Sequence, residues 1–144
     1  MNQLYDDDDI QSAALCAWKE ARGEKEEGMA AVIWVLKHRV GYAGFANSLH
    51  DVIYGKNQFS SMSRPSDPEY YLQPCEGDEF YTVALNSAMT ILNQTDEVGD
   101  ETRGAHFYAN LHTMEKGGWF EQNIVLKSQE HPITAQIGHH TFFW

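Results

Sequence analysis

The sequence predicts one α+β domain, mainly helical with a small β element, spanning residues 1–144. Three observations predict it. Three stretches carry apolar residues at helical spacing, the last third is rich in aromatic and β-branched residues, and 144 residues is an ordinary size for one domain with one core. No internal repeat or low-complexity linker divides the chain.

Ile10, Ala13, Ala14, Ala17, Trp18 and Ala21 recur at helical spacing and predict a first helix over 10–21. The aspartates before it suit the positive end of a helix dipole. They lack the Asp-x-Asp-x-Asp-Gly pattern of a calcium loop, so a solvated helix start is expected. Arg22-Gly23-Glu24 interrupts the pattern, and Met29, Val32, Ile33, Leu36 and Val40 resume it on a second helix over about 26–40. Two helices should therefore meet at a Gly-containing corner, with Glu20 in the last turn of the first.

Residues 41–77 hold most of the prolines and many Gly, Ser, Asn and Tyr, which reads as irregular chain with a short apolar segment at Val52-Ile53-Tyr54. Long loops in compact domains are often functional. Phe80, Val83, Ala84, Ala88, Ile91 and Leu92 predict a third helix over 79–93. Residues 94–104 are polar and turn-like, while 105–109 and 133–144 read as short strands. Strand alternation would put His140, Phe142 and Trp144 on one face of the tail and His139, Thr141 and Phe143 on the other.

Composition narrows the partners. Ten Lys and Arg against 21 Asp and Glu give a net charge of −11, which argues against nucleic acid or an anionic lipid surface. No stretch approaches the ~20 apolar residues of a membrane span, so no stable membrane association is expected. The N-terminus shows no basic start, apolar core and small-residue cleavage site, so the chain is expected to be made in a cytoplasm. A reducing compartment favours free thiols for Cys16 and Cys75. A monomer is the expected state.

A glycosidic bond resists cleavage because the departing alkoxide is a poor leaving group, so an enzyme must give it a proton. A glutamate partly buried against apolar or aromatic groups can serve, and Glu20, on an apolar helix with Trp18 two residues away, is the candidate. By pattern alone, however, a glutamate at a helix end is ordinarily an exposed charge or the ion-pair partner of a nearby Arg22.

The rest of the chain changes that reading. Glu20-Ala21-Arg22-Gly23-Glu24, Gly28, His38-Arg39-Val40, Asp51-Val52-Ile53-Tyr54, Gln58-Phe59-Ser60, Gly104-Ala105-His106-Phe107-Tyr108-Ala109-Asn110, Trp119 and Ile137-Gly138-His139-His140-Thr141-Phe142-Phe143 follow one another in order. Together they resemble the SleB/CwlJ cell-wall hydrolase family of spore-cortex-lytic enzymes. The resemblance covers nearly the whole chain.

It implies a lysozyme-like domain that cuts peptidoglycan glycan strands between N-acetylmuramic acid and N-acetylglucosamine, without cofactor. The expected enzyme is a lytic transglycosylase giving 1,6-anhydro products or a hydrolysing muramidase, with Glu20 as the acid. No second carboxylate is required where the sugar's own 6-hydroxyl is the nucleophile, a proximity effect. Two departures stand out: members often follow the Gln-Phe-Ser block with Trp where this chain has Ser61-Met62, and commonly carry Thr and an aromatic at His106-Phe107. A phage endolysin that reaches the wall after release is the expected setting; a spore enzyme would share the same blocks.

Substrate contacts are expected from Glu24, Gln58, Phe59, Ser60, Tyr108, Asn110, Trp119 and His140. Glu24 could equally be structural, since Gly23 should break its helical alignment with Glu20, which would otherwise lie one turn, roughly 5.4 Å, away. Tyr108 and Asn110 would share a strand face and present polar groups to sugar hydroxyls, or mark a strand edge with a buried tyrosine. Trp119 follows Gly117-Gly118, where an exposed ring could stack on a sugar, whereas Trp18 and Trp34 read as core. The seven histidines invite a rival reading as a zinc-dependent amidase, but no His-Glu-x-x-His occurs and the spacings are irregular, so no metal is expected.

Overall fold

Asp6 caps the first helix, α1 (Asp7–Ala21), in the computed structural model, which describes residues 5–93 and 99–144. Its carboxylate accepts from the Asp9 N–H at 2.8 Å, and the Asp9 carboxylate accepts from the Asp6 N–H at 3.2 Å. This reciprocal capping satisfies two otherwise orphaned donors, so the helix starts within the aspartate run rather than at Ile10.

Helices α2 (Lys25–Arg39) and, after two short helices, α5 (Glu79–Asn93) pack with α1 around one core. Ala13, Ala14, Ala17 and Ala21 of α1 are at most 2% exposed, and this small-residue stripe lets the larger Met29, Val32, Ile33 and Leu36 of α2 approach closely. Ala84, Ala88, Ile91 and Leu92 close the core from α5. Truncating Ile33 or Leu36 to Ala should cost about 2–5 kcal/mol. Trp18 docks α1 onto the start of α5, its Nε1 donating to Asp78 Oδ1 at 3.3 Å.

The corner between α1 and α2 is a 3-10 turn, Arg22–Glu24, but its left-handed residue is Lys25, with φ 63°, and not Gly23. The stretch 41–77 is irregular as expected, except for α3 (Leu49–Tyr54), capped by Ser48, and α4 (Ser60–Ser63). Val52 and Ile53 of α3 fill the core. Among the described residues no helix is long and apolar enough to cross a membrane. The expected turn over 94–104 lies partly outside the described residues.

The tail expected as strand is in fact a hairpin of β2 (Ile133–Ile137) and β3 (His140–Phe143), with β1 (Phe107–Ala109) on the other side of β3 in the antiparallel order β1-β3-β2. Gly138, at φ 58°, supplies the left-handed position that a two-residue hairpin loop needs. His139 therefore belongs to the turn and shares no strand face with Thr141. Tyr108 lies opposite Phe142, so these two and His140 face the same way, with Phe142 packed on Ala31 and Val35 of α2.

Asp100 anchors this sheet to α2. It accepts from the Thr102 hydroxyl at 2.6 Å, the Gly104 N–H at 2.8 Å and His38 Nε2 at 3.0 Å. Burial raises its carboxyl, but these donors outweigh burial and hold it at about 2. His38 Nδ1 lies 2.8 Å from the Ala105 carbonyl. Cys16 is buried and Cys75 exposed, both as free thiols. Burial, then the nearby Glu20 charge, pushes the Cys16 thiol well above its ordinary value.

Candidate active site

Glu20 ends α1 half-buried in a cleft of about 280 Å³, lined also by Arg39, Phe45, Asn57, Gln58, Phe59, Phe107, Tyr108, Trp119 and Phe120. Segments far apart in sequence meet there: the end of α1, the end of α2 with the loop after it, the α3–α4 loop, β1 and residues 119–120. Tyr108 donates its hydroxyl to Glu20 Oε1 at 2.6 Å, and Ser61 donates to Oε2 at 2.7 Å. Each carboxyl oxygen is thus held by one neutral hydroxyl, which fixes the group while leaving further lone pairs toward the cleft. Burial, then the Glu20 charge, pushes the Tyr108 hydroxyl well above its ordinary range, so it stays a donor at any working pH.

Arg22 is not the ion-pair partner of Glu20. It makes a two-pronged pair with Glu69 and also donates to the Trp18 carbonyl at 3.1 Å, with its guanidinium 4.2 Å above the Trp18 ring. Trp18 likewise does not neighbour the acid: two residues along a helix is more than half a turn, and its ring faces Asp78. The aromatic rings that share the cleft with Glu20 are instead those of Phe45, Phe59, Phe107, Tyr108, Trp119 and Phe120.

The expected substrate residues divide. Gln58, Phe59, Tyr108 and Trp119 line the cleft with Glu20, Trp119 being 66% exposed and Phe59 only 4%. Ser60 turns away to donate to Asp67, and the hydroxyl that reaches the acid belongs to Ser61, the very position where the chain departs from the family pattern. Asn110 lies beyond the end of β1 and shares no strand face with Tyr108; its side chain accepts from the His112 N–H at 3.0 Å and shapes a turn. His140 stands behind Tyr108, ring centroids 5.0 Å apart, and is absent from the cleft lining.

Glu24 is occupied elsewhere. Its carboxylate lies 2.8 Å from His139 Nδ1 and accepts from the His139 N–H at 3.3 Å, tying the α1–α2 corner to the β2–β3 hairpin. Burial raises this carboxyl, but the His139 donors and the His139 and His140 charges outweigh burial and hold it below its usual range. Gly28 and Gly138 leave the room: a Cβ at either would collide with the Glu24 side chain. The two glycines and Glu24 therefore form one packing unit.

Sequence reasoning missed Ser61, Arg39 and Lys19. Lys19, 8% exposed, donates to the Tyr70 carbonyl at 2.8 Å and the Ser61 carbonyl at 3.2 Å, and so holds α4 against α1 beside the acid. A lysine at a position adjoining the apolar stripe was the available signal. Nothing in the sequence marked Ser61 as nearer to Glu20 than Ser60.

A larger hollow of about 630 Å³ lies between α2 and α5, with Glu26, Glu27, Trp34 and Glu101 among its lining. Among the described residues no hydroxyl donates to Glu26, Glu27 or Glu101, whereas each oxygen of Glu20 has such a donor, so chemistry favours the smaller cleft. Among the described residues no three His, Cys, Asp or Glu side chains gather as metal ligands. The histidines are dispersed: His106 stacks on Tyr42, His139 holds Glu24 and His140 faces Tyr108.

A sequence model of the family described as Cell Wall Hydrolase matches residues 23–143. The chain belongs to the cell wall hydrolase family. The match begins just past Glu20. The structure resembles the catalytic domain of the germination-specific lytic transglycosylase SleB from Bacillus anthracis, with a TM-score of 0.70, 27% identity and 100% of both chains covered. It also resembles the catalytic domain of the Bacillus cereus SleB protein, with a TM-score of 0.69, 28% identity, and 97% of this chain and 92% of that one covered. The lysozyme-like fold implied by the resemblance is thereby shown. Among curated proteins, a spore cortex-lytic enzyme of Halalkalibacterium halodurans is 30% identical over 96% of this cell wall hydrolase and 35% of its own length. That of Oceanobacillus iheyensis is 29% identical over 97% and 43%. The chain thus spans well under half the length of these relatives.

Proposed function

We propose that this cell wall hydrolase cleaves peptidoglycan glycan strands between N-acetylmuramic acid and N-acetylglucosamine as a lytic transglycosylase. One observation carries the reading: among the described residues Glu20 is the sole acidic side chain lining the cleft, and both its oxygens are held by hydroxyl donors. Protein mechanisms with two carboxylates need a second acid across the scissile bond. A single acid suffices where the nucleophile is part of the substrate.

Glu20 gives its proton to the bridging oxygen as the bond from that oxygen to C1 of the muramic residue breaks. The muramic 6-hydroxyl oxygen then bonds to C1, and its proton passes to the Glu20 carboxylate, which restores the acid. No water is consumed, and the product is a 1,6-anhydro sugar. Tyr108 and Ser61 keep the carboxyl oriented through both proton transfers. Trp119 offers an exposed face for stacking on a sugar ring, with Gln58 as a polar contact nearby. The names of the relatives, lytic transglycosylase and spore cortex-lytic enzyme, support glycan cleavage over amide hydrolysis.

The purified protein should clear a peptidoglycan suspension and release muropeptides one water lighter than hydrolysis products by mass spectrometry. Glu20→Gln should abolish that release. Unchanged activity in this variant would overturn the assignment of the acid, and products retaining the full water would overturn the transglycosylase reading.

A further inference from the structure

Among the described residues Arg39 is the one cationic side chain lining the cleft, in a protein whose net charge is −11. It projects from the last turn of α2 and is only 8% exposed. Its guanidinium carbon lies 4.9, 5.1 and 5.6 Å from the ring centroids of Phe45, Phe59 and Phe107. Its Nε donates to the His106 carbonyl at 2.7 Å. No hydrogen bond or ion pair with the described residues takes the remaining Nη donors, and Glu20, though in the same cleft, is not within ion-pair distance.

Burying a charge is costly unless it is paired or hydrogen-bonded. Three aromatic faces offset part of that cost. They provide no acceptors, however, and Arg39 lines the cleft where substrate must lie. A guanidinium fork matches a carboxylate better than it matches a hydroxyl or an acetamide oxygen.

On a glycan strand the hydroxyl and acetamido groups are uncharged. The muramic residue adds a lactyl ether at C3, which ends in an amide where a stem peptide is attached and in a carboxylate where it is not. Resting on the proposed glycan cleavage, we propose that Arg39 is a carboxylate subsite that takes the free lactyl carboxylate of the muramic residue. The cleft then favours strands from which stem peptides have been removed. The reaction class that supplies such strands is hydrolysis of the lactyl amide, in which water converts the amide to this carboxylate and releases the peptide amine.

The test is calorimetric titration of the wild-type protein with two disaccharides of N-acetylglucosamine linked to N-acetylmuramic acid, one with a free lactyl carboxylate and one with that group capped as a methyl amide. The free acid should bind about tenfold or more tightly, since charge-assisted hydrogen bonds are roughly twice as strong as neutral ones, and raised salt should shrink the difference. Arg39→Gln should bind both ligands alike, and Arg39→Lys should keep part of the preference. Equal binding of the two ligands by the wild-type protein overturns the subsite while leaving glycan cleavage intact, and does so whether or not Arg39→Gln folds. Retention of the full preference by a folded Arg39→Gln also overturns it. Binding of neither disaccharide by the wild-type protein, together with no release from peptidoglycan, removes the parent reading and the subsite with it.

Discussion

His106 makes the protein sensitive to mild acid, and the size of the effect follows from its surroundings. The ring is 4% exposed, stacks on Tyr42 with centroids 3.7 Å apart, and leaves Nδ1 without a partner. Burial, then the nearby His38 charge, lowers it from an ordinary 6.5 to about 4. The unfolded chain therefore binds this proton first, and the stability gained from a neutral His106 is present above pH 6.5 and lost as pH falls toward about 4. Between those values the slope approaches about 1.4 kcal/mol per pH unit, which sums to about 3 kcal/mol at pH 4. Burial also lowers His140, which adds to the wild-type slope but is common to any His106 variant. His106→Phe keeps a ring against Tyr42 and removes the titration. Urea denaturation of both proteins at pH 7.5, 6, 5 and 4, at fixed ionic strength, should show the wild type losing about 3 kcal/mol more than the variant over the range. Parallel loss in the two proteins would refute the reasoning.

Three further predictions address the acid and its supports. Tyr108→Phe should fold normally and lose about 10–100-fold in kcat with little change in KM, as expected for removing a hydrogen bond to a charged group worth about 1.5–3 kcal/mol; muropeptide release rates measure it, and an unchanged kcat would count against Tyr108 as the orienting donor. Gly28→Ala should destabilise, although alanine ordinarily gains up to about 1 kcal/mol over glycine inside a helix, because its Cβ would meet the Glu24 Cβ, and a Glu24→Gly background, which removes that atom, should relieve the loss in a double-mutant cycle of thermal unfolding. Lys25→Gly should raise stability by about 1 kcal/mol by removing a side chain from a left-handed backbone position, detectable as a higher Tm.

The helices were legible because burial imposes a period on each. The apolar stripe over 10–21 located α1 and put Glu20 in its last turn, and the aspartate run marked its start. The third helix is the one predicted, Glu79–Asn93. The tail forms strands as expected, but the alternation expected over 139–144 fails at His139, because the positive φ of Gly138 turns the chain back there. Asn110 failed for a similar reason: its side chain bonds a backbone N–H two residues on, which ends the strand it was expected to extend. Glu24 was left open between site and scaffold, and its contact with His139, distant in sequence, could not be read from spacing.

By itself the sequence determined which segments bury a face, that the chain resembles cell wall hydrolases, and that Glu20 was the carboxylate to examine. Tertiary structure alone decided what faces that carboxylate. Tyr108 reaches Glu20 from 88 positions along the chain and Ser61 from 41, and Arg39 enters the same cleft from the end of another helix. Periodicity reports the side of an element that avoids water, a property of each segment alone. The partners of an acid depend on how segments pack, and packing depends on side chains that touch only after the chain has closed on itself.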